Sequence, residues 1–376
     1  MREPIERRAS FFDRASLASQ PCKGHKHTFI RPFVNAFGLS LVLASFTGTA
    51  AFAQSTDYTT LPAVMSPQAS TALLIDAAQA GDRLVAVGSR GHIVYSDDQG
   101  LSWSQAAVPT RQLLSAVYFV DDQHGWAVGH DSLILHTKDG GLNWVIQYRD
   151  PALEEERDEE GLGLLERPLM DVWFRDAKTG FAVGAYGLML RTDDGGATWE
   201  DRSSDIDNPD GFHYNALTTV RDAGLFLVGE MGTMYRSPDF GETWETLQEL
   251  PYDGSWFGTS GTLQPNVVLA WGLRGNVFRS DNFGDSWEQV ELMTPRNGPL
   301  ESTLSGGGLS KDGKLTVVGV GGVVATSEDA GRTFSVAIRP DRVALASAEV
   351  LDGGQLLLLG QNGAVKATAN GLPLNQ

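Results

Sequence analysis

Five aspartates recur at one position of a short motif, and a row of carboxylates is the chemistry of calcium sites and of general acids. The motif reads Ser/Thr-x-Asp-x-Gly-x-Ser/Thr-Trp, and the aspartates are Asp98, Asp139, Asp194, Asp239 and Asp329. Asn282 stands at the Asp position of the fifth of the six copies, and Phe334 replaces the Trp of the sixth.

This motif, the Asp-box, lies between two short apolar runs and therefore predicts a hairpin. Asp and Asn side chains accept hydrogen bonds from nearby backbone amides, and the Gly supplies a positive φ. One carboxylate on each hairpin leaves the acids too far apart to act together, so the spacing favours a structural role for all five. The same interpretation predicts that the closing rings are mostly buried between neighbouring sheets. These rings are Trp103, Trp144, Trp199, Trp244 and Trp287.

A second phrase precedes each Asp-box and occurs seven times. It is an apolar run, a Gly, two variable residues, usually another Gly, and an apolar strand that ends in Ser or Thr. The lead glycines lie 41 to 55 residues apart, at Gly88, Gly129, Gly184, Gly229, Gly272, Gly319 and Gly360. Repeats of this length, built of short strands and Gly turns, predict an all-β, seven-bladed β-propeller with four-stranded antiparallel blades.

The second repeat shows the predicted blade. Its strands are expected at Ala116–Asp121, Gly125–Gly129, Ser132–Thr137 and Trp144–Tyr148. The seventh repeat ends after its third strand and contains no Asp-box. The segment Asp57–Leu61 resembles the outer strand of other blades, so we expect it to complete the last blade and close the ring.

The first 53 residues are typical of an export signal rather than of a domain. A basic stretch precedes an apolar run at 34–50, which ends in Ala51-Phe52-Ala53, a small-x-small cleavage pattern. We therefore predict a signal peptide with a long n-region over 1–53, cleavage after Ala53, a propeller over 54–376 and a periplasmic location. No membrane span is expected after cleavage.

Charge and cysteine content exclude several classes of protein. The chain carries a net charge of −18, and its first 53 residues hold seven basic and three acidic side chains, which leaves −22 for the remainder. Such a surface argues against nucleic acid and against anionic lipid. The only cysteine, Cys22, lies in the leader. The mature chain is therefore expected to have no disulfide, and we expect no metal and no cofactor.

A partner-binding face is predicted from equivalent positions in successive blades. The two-residue tips of the Gly turns form a ring on one face of a propeller, and an acidic insertion at 149–168 enters on the same face. The candidate contacts are Arg90, Tyr186 and Arg274, together with Glu154, Glu155, Glu156, Asp158, Glu159 and Glu160. Asp131, Met231 and Asn362 occupy the same turn position. The alternative is that these are ordinary solvated turn tips and a solvated loop.

No catalytic set is marked by the sequence. A sialidase needs an arginine cluster with a Tyr/Glu pair, and a glycosidase needs two carboxylates about 5–10 Å apart. Arg90, Arg274, Arg296, Arg339 and Arg342 keep a secreted glycan-binding or sialidase-like hydrolase open as the alternative function. A map of the central channel of the propeller would distinguish a binding scaffold from a hydrolase, since converging Arg, Tyr and Glu would favour the enzyme. Histidines show no metal-ligand spacing, since His130 and His136 are about 20 Å apart along one strand.

The run GFAVGAYGLMLRT at 180–192, continued by TDDGGATW at 192–199, resembles the photosystem II stability/assembly factor family of cyanobacteria and plastids and its bacterial relatives. The resemblance covers residues 55–370. It implies a non-enzymatic exported chaperone that holds membrane-protein intermediates. Photosynthetic members carry a basic patch, and this acidic chain departs from them there, so it resembles the non-photosynthetic bacterial branch. The implied partner is a protein of the cell envelope, either an inner-membrane complex or a transporter, bound by a monomer.

Overall fold

The computed structural model describes residues 59–151 and 167–374, which belong to one compact unit, Ser55–Gln376. Seven antiparallel sheets follow one another along the chain. Each innermost strand packs beside the innermost strand of the next sheet, and the last packs beside the first, so the sheets form a ring. The predicted seven-bladed propeller is confirmed, and every lead glycine ends the second strand of a blade.

The first four blades each have four strands, paired in chain order. Blade one comprises β1 (Leu74–Ala80), β2 (Arg83–Gly88), β3 (Ile93–Ser96) and β4 (Ser104–Gln105). Blade two comprises β5 (Leu114–Phe119), β6 (Gly125–Gly129), β7 (Ile134–Thr137) and β8 (Val145–Tyr148). Blade three comprises β9 (Leu169–Phe174), β10 (Gly180–Gly184), β11 (Met189–Thr192) and β12 (Glu200–Asp201). Blade four comprises β13 (Tyr214–Val220), β14 (Gly224–Gly229), β15 (Met234–Ser237) and β16 (Glu245–Thr246). The strands predicted for the second repeat are thus confirmed within two residues.

The remaining blades follow the same order, except that the last has three strands. Blade five comprises β17 (Trp256–Gly261), β18 (Val268–Gly272), β19 (Val277–Ser280) and β20 (Glu288–Gln289). Blade six comprises β21 (Leu304–Leu309), β22 (Leu315–Gly319), β23 (Val323–Ser327) and β24 (Ser335–Ile338). Blade seven comprises β25 (Leu345–Val350), β26 (Leu356–Gly360) and β27 (Gly363–Ala367). Short 3-10 turns lie at Ala69–Thr71, Ser89–Gly91, His130–Ser132, Ala185–Gly187, Ser203–Asp205, Glu230–Gly232, Leu273–Gly275 and Asp352–Gly354.

The second strand of each blade forms the middle of the core. Gly125–Gly129 and Gly180–Gly184, for example, are buried along their whole length, because both sides of the sheet face a neighbouring blade. The innermost strands are only partly buried, since one side faces the central channel. Apolar clusters therefore fill the gaps between blades rather than a single central core.

The predicted closing strand at Asp57–Leu61 is wrong as far as the structure describes it. Thr59 to Leu61 form a turn and a bend, and Asp57 and Tyr58 lie outside the described residues. The next residues run along blade one instead, where the Ala63 amide donates to the Val108 carbonyl at 2.9 Å. Gln105 holds this segment, because its side chain accepts from one amide of the segment and donates to one of its carbonyls.

The ring closes through packing between blades seven and one. Leu74 and Leu84 lie in one apolar cluster with Leu357 and Leu359. The position of a fourth strand in blade seven is taken by the C-terminal segment, since Pro373 makes a β-bridge with Ala367. A remnant of the Asp-box turns the chain there. The Thr368 hydroxyl donates to Asn370 at 2.6 Å, and the Leu372 amide donates to Thr368 at 3.1 Å.

Candidate functional site

The topology separates two faces of the disc. Antiparallel strands in chain order place the turns between second and third strands on one side, together with the connections between blades. We call this side the turn face. The hairpins between third and fourth strands lie on the opposite side, which we call the Asp-box face.

Glycine is required at each lead position because a backbone carbonyl lies too close for a Cβ, and not because the position has a positive φ. Gly88 and Gly129 have extended backbones, with φ of −179° and −173°. A Cβ on Gly129 would lie 2.1 Å from the Leu113 carbonyl oxygen, and the other lead glycines meet equivalent oxygens at 2.1–2.3 Å. A β-bulge at the start of every innermost strand brings these carbonyls close to the lead glycines.

The variable tips of the turns hold side chains in the left-handed region. Arg90, Asp131, Tyr186, Met231 and Arg274 have φ between 52° and 59°, where residues other than Gly are uncommon. Asn362 lies outside this set, because the turn of blade seven is shorter and Gly363 takes the positive φ. The tips of blades one to five therefore stand at equivalent places on the turn face.

Part of the predicted binding set is contiguous. Tyr186 of blade three contacts His213 edge to face at 4.8 Å between ring centroids. The His213 amide donates to Glu230 at 3.1 Å, and Glu230 precedes Met231 of blade four. Tyr186 is 47% exposed and Met231 is 58% exposed. Two neighbouring turn tips thus form one strip with large apolar side chains facing solvent.

Arg90 and Arg274 are not brought together, because they lie on blades one and five. Arg274 lines a groove of about 780 Å³ between its own turn and the connection that leads to blade six. Val290, Leu292 and Leu300 form the apolar floor of this groove, and the Met293 side chain is 47% exposed at its rim. The groove is a feature of the turn face that sequence reasoning missed, because Val290–Leu300 belong to an irregular connection.

The acidic residues Glu154–Glu160 lie outside the described residues, but both ends of the insertion are placed. Arg167 forms an ion pair with buried Asp150. The Ser132 hydroxyl donates to the Arg167 carbonyl at 2.7 Å. Ser132 stands where the other repeats have the second Gly of the turn. This substitution supplies the hydroxyl that holds the end of the insertion. The insertion therefore leaves and rejoins the propeller on the turn face, beside Asp131.

On the Asp-box face, each carboxylate is occupied by donors of its own hairpin. Asp98 accepts from the Ser96 hydroxyl at 2.7 Å and from the Ser102 amide at 2.8 Å. The Ser102 and Ser96 donors lower the pKa of Asp98 to about 2. Asn282 accepts the same two bonds, from Ser280 at 2.8 Å and Ser286 at 3.0 Å. The position therefore needs an acceptor oxygen rather than a charge. Among the described residues, no group of His, Cys, Asp and Glu is arranged to hold a metal.

The closing aromatics are less uniform than expected. Only Trp144 is buried, at 4% exposure, and its indole N–H donates to the Gly141 carbonyl at 3.0 Å. Trp103, Trp199, Trp244 and Trp287 are half-buried and pack at the edges of the clusters between blades. These four rings are less enclosed than Trp144, but each is more buried than exposed, as the sequence predicted. The outer strands that follow these four rings are two residues long, whereas the strand after Trp144 has four residues.

Three arginines link neighbouring blades on the Asp-box face, a role that was not predicted from the sequence. Each third strand of blades three to five has an arginine as its penultimate residue, directly before the Ser or Thr of the box: Arg191, Arg236 and Arg279. Each donates to a backbone carbonyl in the Asp-box of the next blade, at 3.3, 3.1 and 2.8 Å respectively. The recurrent Arg-Ser/Thr pair in the sequence was the available signal.

The central channel holds a second feature that sequence reasoning missed. Asp76 and Asp171 occupy the same position, just after the bulge of an innermost strand, in blades one and three. Asp76 accepts from the Val117 amide at 3.0 Å, and Asp171 accepts from the Leu217 amide at 2.7 Å. Removal from solvent raises the pKa of Asp76 to about 6 and that of Asp171 to about 7.

This architecture defines a class, the seven-bladed propellers with Asp-box hairpins. Within that class, residues 95–162 and 162–295 match the family model described as photosynthesis system II assembly factor YCF48. Since the match spans more than half of the chain, the chain belongs to this family.

Among curated relatives, the photosystem II assembly lipoprotein Ycf48 of Synechococcus sp. strain CC9902 is 27% identical over 117 residues. The aligned segment is 30% of this chain and 32% of that protein, so the chain matches about a third of this relative's length. A solved structure of YCF48 bound to a D1 peptide has a TM-score of 0.61 at 18% identity and covers 84% of this chain and 98% of that one.

Virginiamycin B lyase of Staphylococcus aureus has a TM-score of 0.62 at 9% identity, with 81% of this chain and 97% of that one covered. At such identities the two structures establish the fold alone. An assembly factor and a lyase therefore share this architecture, and function has to be argued from the site.

Proposed function

We propose that this protein is a non-enzymatic exported scaffold or assembly factor that binds a protein partner through its turn face. The observation that carries the proposal is the groove beside Arg274, which has an apolar floor and a polar rim, together with the exposed Tyr186 and Met231 on the same face. The family relatives support it, since they are named assembly factors and one solved relative is a complex with a peptide.

Exposed apolar side chains in the left-handed region are costly in two ways. Backbone strain at such positions amounts to about 1–3 kcal/mol, and an exposed Met or Tyr gains no burial in the free protein. The fold does not require Tyr or Met at these positions, because Gly321 occupies the equivalent left-handed position in the turn of blade six. A partner that covers Tyr186, Met231 and the groove by Arg274 would give these residues their burial. We propose the same role for Arg90, which is exposed on blade one.

The acidic insertion extends this surface in the proposal. The described ends of the insertion, Asp150 and Arg167, lie on the turn face, and we propose that Glu154–Glu160 contribute to the interface from there. A mature charge of −22 favours a partner with a basic surface through electrostatic steering.

We propose that the Asp-boxes and their aromatics are structural. The carboxylates are fully engaged within their own hairpins, and an Asn serves equally in blade five. They are therefore parts of the rigid ring that presents the turn face rather than a binding or catalytic set.

The location follows from the leader, which lies outside the described residues. We propose export to the periplasm with cleavage after Ala53, and an envelope partner such as an inner-membrane complex or a transporter. Across 59–151 and 167–374, no helix has the length and apolarity needed to cross a bilayer.

The hydrolase alternative is less well supported by the geometry. Arg339 is 5% exposed and bonded to Asp341 and to the Gly371 carbonyl, so it is a structural residue. The described residues that line the central cavity contain two aspartates and no arginine, tyrosine or glutamate. That combination does not provide the carboxylate recognition and nucleophile that a sialidase requires.

The test compares the two faces. Solubilised envelope proteins are incubated with immobilised wild type, with Y186A/M231A/R274A, and with L101S/L263S as a control. Leu101 and Leu263 are exposed on the Asp-box face, at 76% and 43%. We expect the turn-face variant to lose the partners that wild type and the control retain, with all three melting at similar temperatures. Equal recovery by the turn-face variant would contradict the proposal.

A second variant tests the insertion. Deleting residues 154–163 should leave the propeller folded, because loop length changes chain entropy only modestly. It should weaken recovery of the same partners. If the deletion and an R90A/R274A variant both retain full binding, the acidic loop and these arginines are not part of the interface.

A further inference from the structure

A cavity of about 510 Å³ opens in the central channel near the turn face. All seven innermost strands contribute to its wall, mostly through the bulge residues at their starts. Side chains around it include Ser115, Met170, Asn215, Phe257 and Ser305. The cavity is distinct from the groove at Arg274 and has its own chemistry.

One side of the cavity carries two carboxylates. The Val117 amide and the Ser347 hydroxyl hold Asp76, at 3.0 and 3.1 Å, so it cannot turn away from the channel without losing both bonds. The amides of Val172 and Leu217 hold Asp171 in the same manner, at 2.8 and 2.7 Å.

No positive charge offsets these carboxylates within the described chain. The groups that shift the pKa of Asp76 or Asp171 include no lysine, arginine or histidine there, and the charge of Asp76 raises the pKa of Asp171 further. Glu349, further along the channel, is also affected by Asp76, and burial raises its pKa to about 8. The channel therefore has an excess of negative charge that a bound cation would relieve.

The opposite side is built of glycine and one indole. Gly258, Gly306 and Gly307 leave the innermost strands of blades five and six without side chains, and the Trp271 ring packs behind them. Trp271 is 2% exposed, and its indole N–H has no hydrogen-bond partner among the residues that the structure describes. A Cβ on Gly258 would lie 2.4 Å from that nitrogen, so the N–H edge of the ring lies at the glycine wall of the cavity.

We propose that this cavity binds a primary ammonium group, with Asp76 and Asp171 as its counter-charges. The indole N–H of Trp271 is then available to an oxygen acceptor of the same ligand. Phe257, 37% exposed at the mouth, offers a ring face to the cation or its alkyl stem. A lysine within a peptide has both the ammonium and a carbonyl, whereas a free polyamine has only the ammonium. A metal ion is disfavoured, because the described residues offer no group of three ligands.

Calorimetry at pH 7 in two amine-free buffers of different ionisation enthalpy tests this site. The probes are a blocked Gly-Lys-Gly tripeptide, spermidine, and a blocked tripeptide with norleucine in place of lysine. We expect the lysine peptide to bind with net release of protons, since an ammonium group lowers the pKa of both aspartates. The norleucine peptide should not bind. Binding of spermidine at equal strength would identify a free amine as a sufficient ligand.

The matched variants are D76N/D171N and D210N/D253N, which remove the same charge inside and outside the cavity. We expect the first to weaken lysine-peptide binding at least about tenfold, which corresponds to about 1.4 kcal/mol, because it removes both counter-charges of the ammonium group. The second should bind as wild type. Unchanged binding by D76N/D171N, or no binding of either amine to wild type, would overturn the proposal. Carboxyl NMR titration of the wild-type aspartates with and without the lysine peptide provides the same test without a variant.

Discussion

Two sets of aspartates in this molecule have the same side chain and opposite surroundings. Those of the Asp-boxes lie at the outer hairpins, recur in most blades and receive several hydrogen bonds from their own hairpin, which lower the pKa of Asp98 and Asp329. Asp76 and Asp171 are sunk in the channel, occur in two blades only, and have raised pKa values. The repeated acids are held by donors of their own hairpins, whereas the unrepeated ones line a cavity with no positive charge beside them among the described residues. In a propeller, departures from the repeat are therefore more informative about function than the repeat itself.

The largest expected effect concerns the aromatic part of the Asp-box rather than its acid. Trp144→Ala should lower the free energy of unfolding by about 3–5 kcal/mol, as for large aromatic truncations in cores. Trp199→Ala should cost clearly less, because that ring is half-buried and its N–H has no partner in the described part of the chain. Chemical denaturation of both variants measures the difference. Equal losses would mean that burial does not decide the contribution of these rings.

The channel acids should give the protein a stability that depends on pH. An aspartate whose pKa rises on folding from 3.8 to about 7 favours the folded state at low pH, and that contribution is lost as the pH rises through 4 to 7. The variant D76N/D171N should therefore match wild type near pH 4 and exceed it at pH 8 by on the order of 3 kcal/mol. Denaturant midpoints at both pH values provide the measurement. A constant difference across the range would contradict the raised pKa values.

The Asp-box acids should show a smaller effect of the opposite sign. Asp139 accepts from the Asn143 amide at 3.0 Å and from the Thr137 hydroxyl at 2.9 Å. Asp139→Ala should cost about 1–2 kcal/mol through these lost bonds, whereas Asp139→Asn should cost less than about 0.5 kcal/mol at pH 7. Since the pKa of Asp139 is lowered by folding, the acid contributes stability above its ordinary pKa and loses it as the pH falls. Thermal melts of the two variants decide whether the position needs an acceptor or a charge.

The sequence by itself determined the repeat, and with it most of the fold. Seven lead glycines specify seven blades, because each must lie against the carbonyl that precedes an innermost strand. The repeat also places the turn tips and the Asp-boxes on opposite faces, because antiparallel strands that pair in chain order alternate in direction. The entry of the acidic insertion on the turn face followed from its place between two blades.

Only the tertiary structure decided what depends on contacts between distant residues. The segment after Leu61 joins blade one because the Gln105 side chain satisfies its backbone, which no local pattern marks. The arginines of the third strands reach carbonyls about 50 residues away, in the next blade. The channel acids looked ordinary in the sequence, because their pKa values are raised by burial among innermost strands that come from several blades. Periodicity specifies which residues are equivalent, whereas burial and charge around each one depend on all seven blades together.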